Sequence, residues 1–251
     1  MVSAIHIIAI GLGAAFLLGL LRDELRAAAY GVTHTALTCM LLVSVSWVWV
    51  LTWGGGTAEE IITAGTQQPF AINLRMGLTE AVLTLLINLT GLLSAIYLRD
   101  TMFKQGRRAM AVLLVFTMAA CGIVLTRDLF NLFVFLELVS IATGGLILLS
   151  RDKRALGAGF KFLVASQVIT ILLLIGIIFS YHATGTLNID GMAEVSPLVL
   201  KAGGSAFFSY WKSDSIALAM SRAQPATVEQ YPRLHNLVEG LCIASGLEKP
   251  R

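Results

Sequence analysis

Six stretches of the chain are apolar over the length a helix needs to cross a bilayer, roughly 17 to 25 residues. They run over 4–21, 29–53, 77–98, 109–126, 129–149 and 156–181. Short charged breaks separate most of them: Arg22-Asp23-Glu24-Leu25-Arg26, then Arg99 to Arg108, then Arg151 to Arg154. No run alternates in polarity as an outer-membrane barrel strand does. The first run has no basic segment ahead of it, so it reads as a span and not a cleaved leader. The pattern predicts an all-α fold, a polytopic transmembrane helical bundle of about six spans.

The pattern changes after about residue 190. Residues 195–211 are only weakly apolar, broken by Pro197, Lys201, Gly203 and Gly204, and read as a surface segment or a weak seventh span. Two short helices are expected beyond, one over about 213–223 and one from Pro232, suited to a first helical position, to Gly246, suited to a position just past the end. Leu234, Leu237, Val238, Leu241 and Cys242 form an apolar stripe at helical spacing, which predicts packing on a domain core. The expected organisation is a transmembrane domain over 1–190, a junction over 191–211, and a helical tail over 212–251 that looks like an incomplete domain.

Composition supports the pattern. The chain of 251 residues is 57% apolar and 13% charged, with a mean hydropathy of +0.81. A soluble domain carries about 25% charge, so soluble, disordered and fibrous classes are excluded. A net charge of +3, scattered, gives no reason to expect nucleic acid. Cys39, Cys121 and Cys242 are far apart and support neither a disulfide framework nor a metal knuckle. The first, third and fifth loops hold nine basic residues: Arg22, Arg26, Arg99, Lys104, Arg107, Arg108, Arg151, Lys153 and Arg154. The second and fourth hold Arg75 and Arg127. The positive-inside rule then puts the odd loops in the cytoplasm and the N-terminus outside; the expected location is a prokaryotic inner membrane.

An ionisable group inside a span costs about 2.5–3.5 kcal/mol at the bilayer centre, so the few that occur are the first candidates for chemistry. Glu137 lies near mid-span with no basic residue within one turn. Desolvation favours the neutral form of a carboxyl and an approaching cation favours the charged form, so such a group can take up and release a proton. The alternative is a structural carboxyl bonded to a neighbouring helix. Glu80 lies a turn or so beyond Arg75 and can snorkel to the interface. Lys161, a turn and a half into the sixth span, is either a snorkelling lysine or a buried cationic partner for a glutamate. His6 and His34 are lone histidines on apolar faces, better explained by helix contacts than by a relay. Asn73, Asn88 and Asn131 are expected to bond between helices. The chain holds no H-E-x-x-H, G-x-S-x-G, P-loop or dinucleotide motif, so no catalytic centre, metal or cofactor is expected.

Two segments carry a resemblance. Arg127-Asp128-Leu129-Phe130-Asn131-Leu132-Phe133-Val134-Phe135-Leu136-Glu137 resembles the fifth-helix motif of the antiporter-like proton-pumping subunits of respiratory complex I, multisubunit sodium/proton antiporters and membrane-bound hydrogenases. Gly159-Phe160-Lys161-Phe162-Leu163, with Tyr181-His182-Ala183-Thr184-Gly185-Thr186-Leu187-Asn188-Ile189, resembles the family's sixth helix and following loop, and Asn73-Leu74-Arg75 is also similar. The resemblance covers about 1–190 and implies a proton-translocating subunit or its N-terminal half. It implies Glu137 and Lys161 as relay residues; Glu80 and His34, from their positions in the spans alone, are candidates for a secondary role. It also implies other membrane subunits, lipid, protons and Na+ as partners, with any redox cofactor held elsewhere. The sequence departs from the family in several places. Met76 and Gly77 stand where an aspartate is usual, Lys201 fits poorly as the seventh-helix lysine, and the second repeat is absent. The segment 205–251 resembles the membrane-proximal start of HtpX-type zinc metalloproteases, without their zinc motif. Two alternatives therefore stand beside the pumping subunit: an inactive fragment of such a protease, and a non-catalytic membrane scaffold.

Overall fold

The computed structural model describes residues 2–63, 71–149 and 153–195, and in the tail only Asn236 and Glu239. Contacts divide the chain into Met1–Lys201 and Ala202–Arg251. The weak seventh span over 195–211 and the two tail helices lie outside the described residues, apart from Val195, Asn236 and Glu239.

The first unit is a bundle of long helices. In chain order its helices are α1 (Ile5–Leu20), α2 (Arg26–Thr52), α3 (Leu78–Tyr97), the short α4 (Arg99–Gln105), α5 (Arg107–Leu125), α6 (Leu129–Leu148), α7 (Lys153–Thr184) and the short α8 (Ile189–Val195). Among the described residues five helices are long and apolar enough to cross a membrane, and α1, at 16 residues, is a shorter apolar helix. The protein is therefore a multi-pass membrane protein with the all-α architecture expected. Two strands, β1 (Glu59–Ile62) and β2 (Asn73–Met76), complete it. Neither the strands nor α4 has a clear signature in the sequence, where both regions read only as loops.

Lipid tails are as apolar as leucine, so close packing and interhelical hydrogen bonds hold such helices together. The helix α5 sits centrally, against α1, α2, α3 and α6, and is the most buried of the five long helices. The helix α7 packs on α6 and is the least buried of the five, which leaves most of its apolar surface to lipid or to other chains. Glycines set the close contacts. A methyl group on Gly122 of α5 would lie 2.3 Å from the Phe135 ring of α6, and one on Gly144 of α6 would lie 2.3 Å from Leu163 of α7.

Polar contacts tie the helices further. Asn88 of α3 is fully buried. Its Nδ2 donates to Ser44 Oγ at 2.9 Å and to the Met40 carbonyl at 3.3 Å, both on α2, and its Oδ1 accepts from Cys121 Sγ of α5 at 3.4 Å. Asn88 thus makes the interhelical bonds its sequence suggested. Asn131 instead bonds locally, to Thr126 Oγ1. At the basic end, Arg107 Nη1 donates to the carbonyls of Leu18 and Gly19, the unpaired C-terminal groups of α1, while its Nε donates to Asp23 at 2.5 Å.

The opposite end is closed by a small antiparallel ribbon. Strands β1 and β2 pair with Glu60 opposite Arg75. Isolated bridges Leu74–Thr126 and Asp128–Asn188 extend it, and the Arg127 N–H donates to the Asn73 carbonyl while the Ile189 N–H donates to the Arg127 carbonyl. The turn between α5 and α6 is thereby held on both sides. This satisfies backbone groups that would otherwise be orphaned at a helix junction.

Candidate functional site

Glu137 is the ninth residue of the 20-residue α6, about 12 Å along a helix about 30 Å long. The Asp128 carboxylate starts that helix by accepting from the Asn131 N–H at 2.7 Å, a standard N-cap. Glu137 is partly buried at the α6–α7 contact, where its Oε2 accepts from Gln167 Nε2 of α7 at 2.7 Å. Gln167 is not among the residues that the hydropathy pattern or the family resemblance singles out. The one signal it carries in the sequence is being the lone amide side chain in the whole of α7.

Lys161 does not reach Glu137. Gly159 and Leu163, two residues to either side of it, both contact α6. At about 100° per residue Lys161 then stands on the opposite face of α7, and it is exposed and makes no ion pair among the described residues.

Glu80 is only 9% exposed and has two partners. Its Oε2 accepts from the Gly77 N–H at 3.0 Å at the start of α3, and its Oε1 accepts from Arg127 Nη2. The cation beside Glu80 is therefore Arg127, 47 residues away, and not the nearby Arg75. The ribbon brings Arg127 there, and nothing local in the sequence signals it. Arg75 Nε and Arg127 Nε are both buried without a hydrogen-bond partner.

The histidines make helix contacts. Nδ1 of His6 bonds the Ser3 carbonyl at 2.9 Å, and Nδ1 of His34 bonds the Tyr30 carbonyl at 3.0 Å. The His34 ring also lies 3.8 Å from the Tyr30 ring, and its Nε2 is buried and unpartnered. The hydrogen bonds of His34, Glu80 and Glu137 go to different partners. Among the described residues no group of His, Cys, Asp and Glu could hold a metal ion.

Comparison with known proteins bears on the membrane portion as a whole. Residues 126–225 match the family model described as NADH:quinone oxidoreductase/Mrp antiporter, TM. One Na(+)/H(+) antiporter subunit, from Alkalihalophilus pseudofirmus, is 32% identical over 160 residues, 63% of this chain and 32% of that protein. A chain in the membrane-bound sulfane sulfur reductase, an archaeal respiratory membrane complex, superposes with a TM-score of 0.72 at 26% identity, covering 81% of this chain and 42% of that one. The membrane portion is antiporter-like. The antiporter-like chain spans less than half the length of each of these relatives. The Protease HtpX homolog of Pyrococcus furiosus is 49% identical over 45 residues, a partial match covering 18% of this chain and 16% of that protein.

Proposed function

We propose that the antiporter-like chain takes part in proton translocation within a multisubunit membrane complex, with Glu137 as the proton carrier. The observation that carries this reading is a carboxyl at mid-span whose hydrogen-bond partner is an uncharged amide. A nearby cation favours the charged form of a carboxyl, whereas an uncharged amide adds no charge that fixes either form, so the carboxyl can change charge when a cation nears or leaves. Lys161 supplies that cation in the assembled complex, from the far face of α7. Its influence on Glu137 then depends on what packs against that face, which couples the carboxyl to neighbouring subunits. Glu80 and His34 are secondary positions toward the two ends of the bundle.

The chain sits in a prokaryotic inner membrane with its basic loops in the cytoplasm and its N-terminus outside, as the distribution of arginine and lysine favours. Protons, and in some complexes Na+, are the transported ions, and any redox centre belongs to partner subunits. The experiment is Glu137→Gln in the assembled complex, with proton transport measured in sealed vesicles. Transport is expected to be lost with assembly intact. Transport at the unsubstituted rate would remove the role assigned to Glu137.

A further inference from the structure

We propose that Gln167 is the positioning residue that sets how tightly Glu137 holds its proton. Its amide donates to the carboxylate and, turned over, accepts from the carboxylic acid. This rests on the reading of Glu137 as the carrier and names a residue through which that site is tuned.

The geometry singles out this amide. Gln167 is exposed at the edge of the α6–α7 contact, and its Nε2 lies 2.7 Å from Glu137 Oε2. Three nearby hydroxyls are engaged with their own helices. Ser166 Oγ donates to the Leu163 carbonyl at 3.0 Å, Thr170 Oγ1 to the Ser166 and Gln167 carbonyls at 3.1 Å, and Thr143 Oγ1 to the Val139 carbonyl at 2.7 Å. None of them donates to the carboxylate.

Charged and titratable groups on the elements packed against α6 also lie elsewhere. On α5, Arg107 engages Asp23 and α1, Cys121 donates to Asn88, and Arg108 is exposed at the basic end. On α7, Lys153 and Arg154 open the helix, Lys161 faces away, and Tyr181 and His182 close it. Among the described residues none contacts Glu137.

A primary amide carries both donors and an acceptor, so it can serve either charge state of a carboxyl. The exchange needs only rotation about the terminal bond of Gln167, with no helix movement. Donation to an ionised acceptor is about twice as strong as a neutral bond, so the amide favours the carboxylate over the acid. Without it, the carboxylate loses the side-chain donor that bonds it among the described residues, and the acid form is favoured.

The test uses the complete assembled complex in proteoliposomes, with proton transport followed against pH. Gln167→Met keeps length and volume but removes the amide. The limb of the profile that reports the carrier is expected to move to higher pH by about one unit, a tenfold change in proton affinity. Gln167→Asn keeps an amide one methylene shorter and is expected to recover part of that shift. An unshifted profile in Gln167→Met, with transport abolished by Glu137→Gln, overturns the role of Gln167 and leaves the carrier standing. Full transport in Glu137→Gln overturns both. Infrared difference spectra of the unsubstituted complex give a measurement independent of whether Gln167→Met assembles. The acid carbonyl band that vanishes in Glu137→Gln is expected at a hydrogen-bonded frequency, and a free-acid frequency overturns the proposal.

Discussion

Gly144→Ala tests whether the α6–α7 contact is what holds Glu137 and Gln167 together. The added methyl would sit 2.3 Å from Leu163 Cδ2 and 2.6 Å from its Cγ, well inside the roughly 3.5–4.0 Å at which carbon atoms rest. Because Cγ is involved as well as a terminal methyl, turning the leucine does not relieve the overlap, and the helices must part by about 1 Å. Overpacking of this kind costs about 1–3 kcal/mol. Gln167 lies one turn beyond Leu163, so the same displacement stretches the 2.7 Å bond to Glu137 past the limit of a hydrogen bond. The assays are reversible unfolding in mixed micelles and the pH profile of transport in the assembled complex. Gly144→Ala should lose stability and shift the profile in the same direction as Gln167→Met. Leu163→Ala in the Gly144→Ala background should restore room for the methyl, so that the double variant is more stable than the sum of the singles by about 1 kcal/mol or more. Additive losses, or an unshifted profile in a destabilised Gly144→Ala protein, would refute the link between this packing and the site.

Other outcomes follow from the polar contacts. Asn88→Leu removes three bonds joining α2, α3 and α5, and at about 0.6 kcal/mol per bond within a membrane should cost about 2 kcal/mol in the same unfolding assay. Glu80→Gln leaves Arg127, whose side chain is 24% exposed, without its carboxylate; unfolding should show a larger loss than in Glu80→Gln/Arg127→Met, where the stranded charge is gone too. The hydrogen bond and charge of Arg107 hold the Asp23 carboxyl below its ordinary value of 3.8. A lowered folded-state value means the contribution is complete above that range and disappears as pH falls through the lowered value. Thermal stability of the unsubstituted protein and Asp23→Asn should therefore differ at neutral pH and converge in strong acid.

The antiporter-like part of this chain is legible in one dimension wherever the physics is one-dimensional. Apolar run length places six helices, because crossing hydrocarbon demands a minimum rise whatever the neighbours are. Charge placement separates the basic end from the other, and mid-span position alone marks Glu137. The sequence around Asp128 also carries its own helix start, since a cap is made within three residues. Pairing is a different matter. Arg127 meets Glu80 only because a ribbon of β1, β2 and the 126–128 turn holds it there, and the ribbon depends on backbone bonds between segments about fifty residues apart. Gln167 meets Glu137, and Lys161 does not, because Gly144 and Gly159 let α7 seat on α6 in one rotation. Hydrophobicity is nearly uniform around these helices, so it specifies that they cross the membrane but not which way they face. That choice falls to close packing of small residues and to the few interhelical hydrogen bonds, which exist only once the helices are assembled.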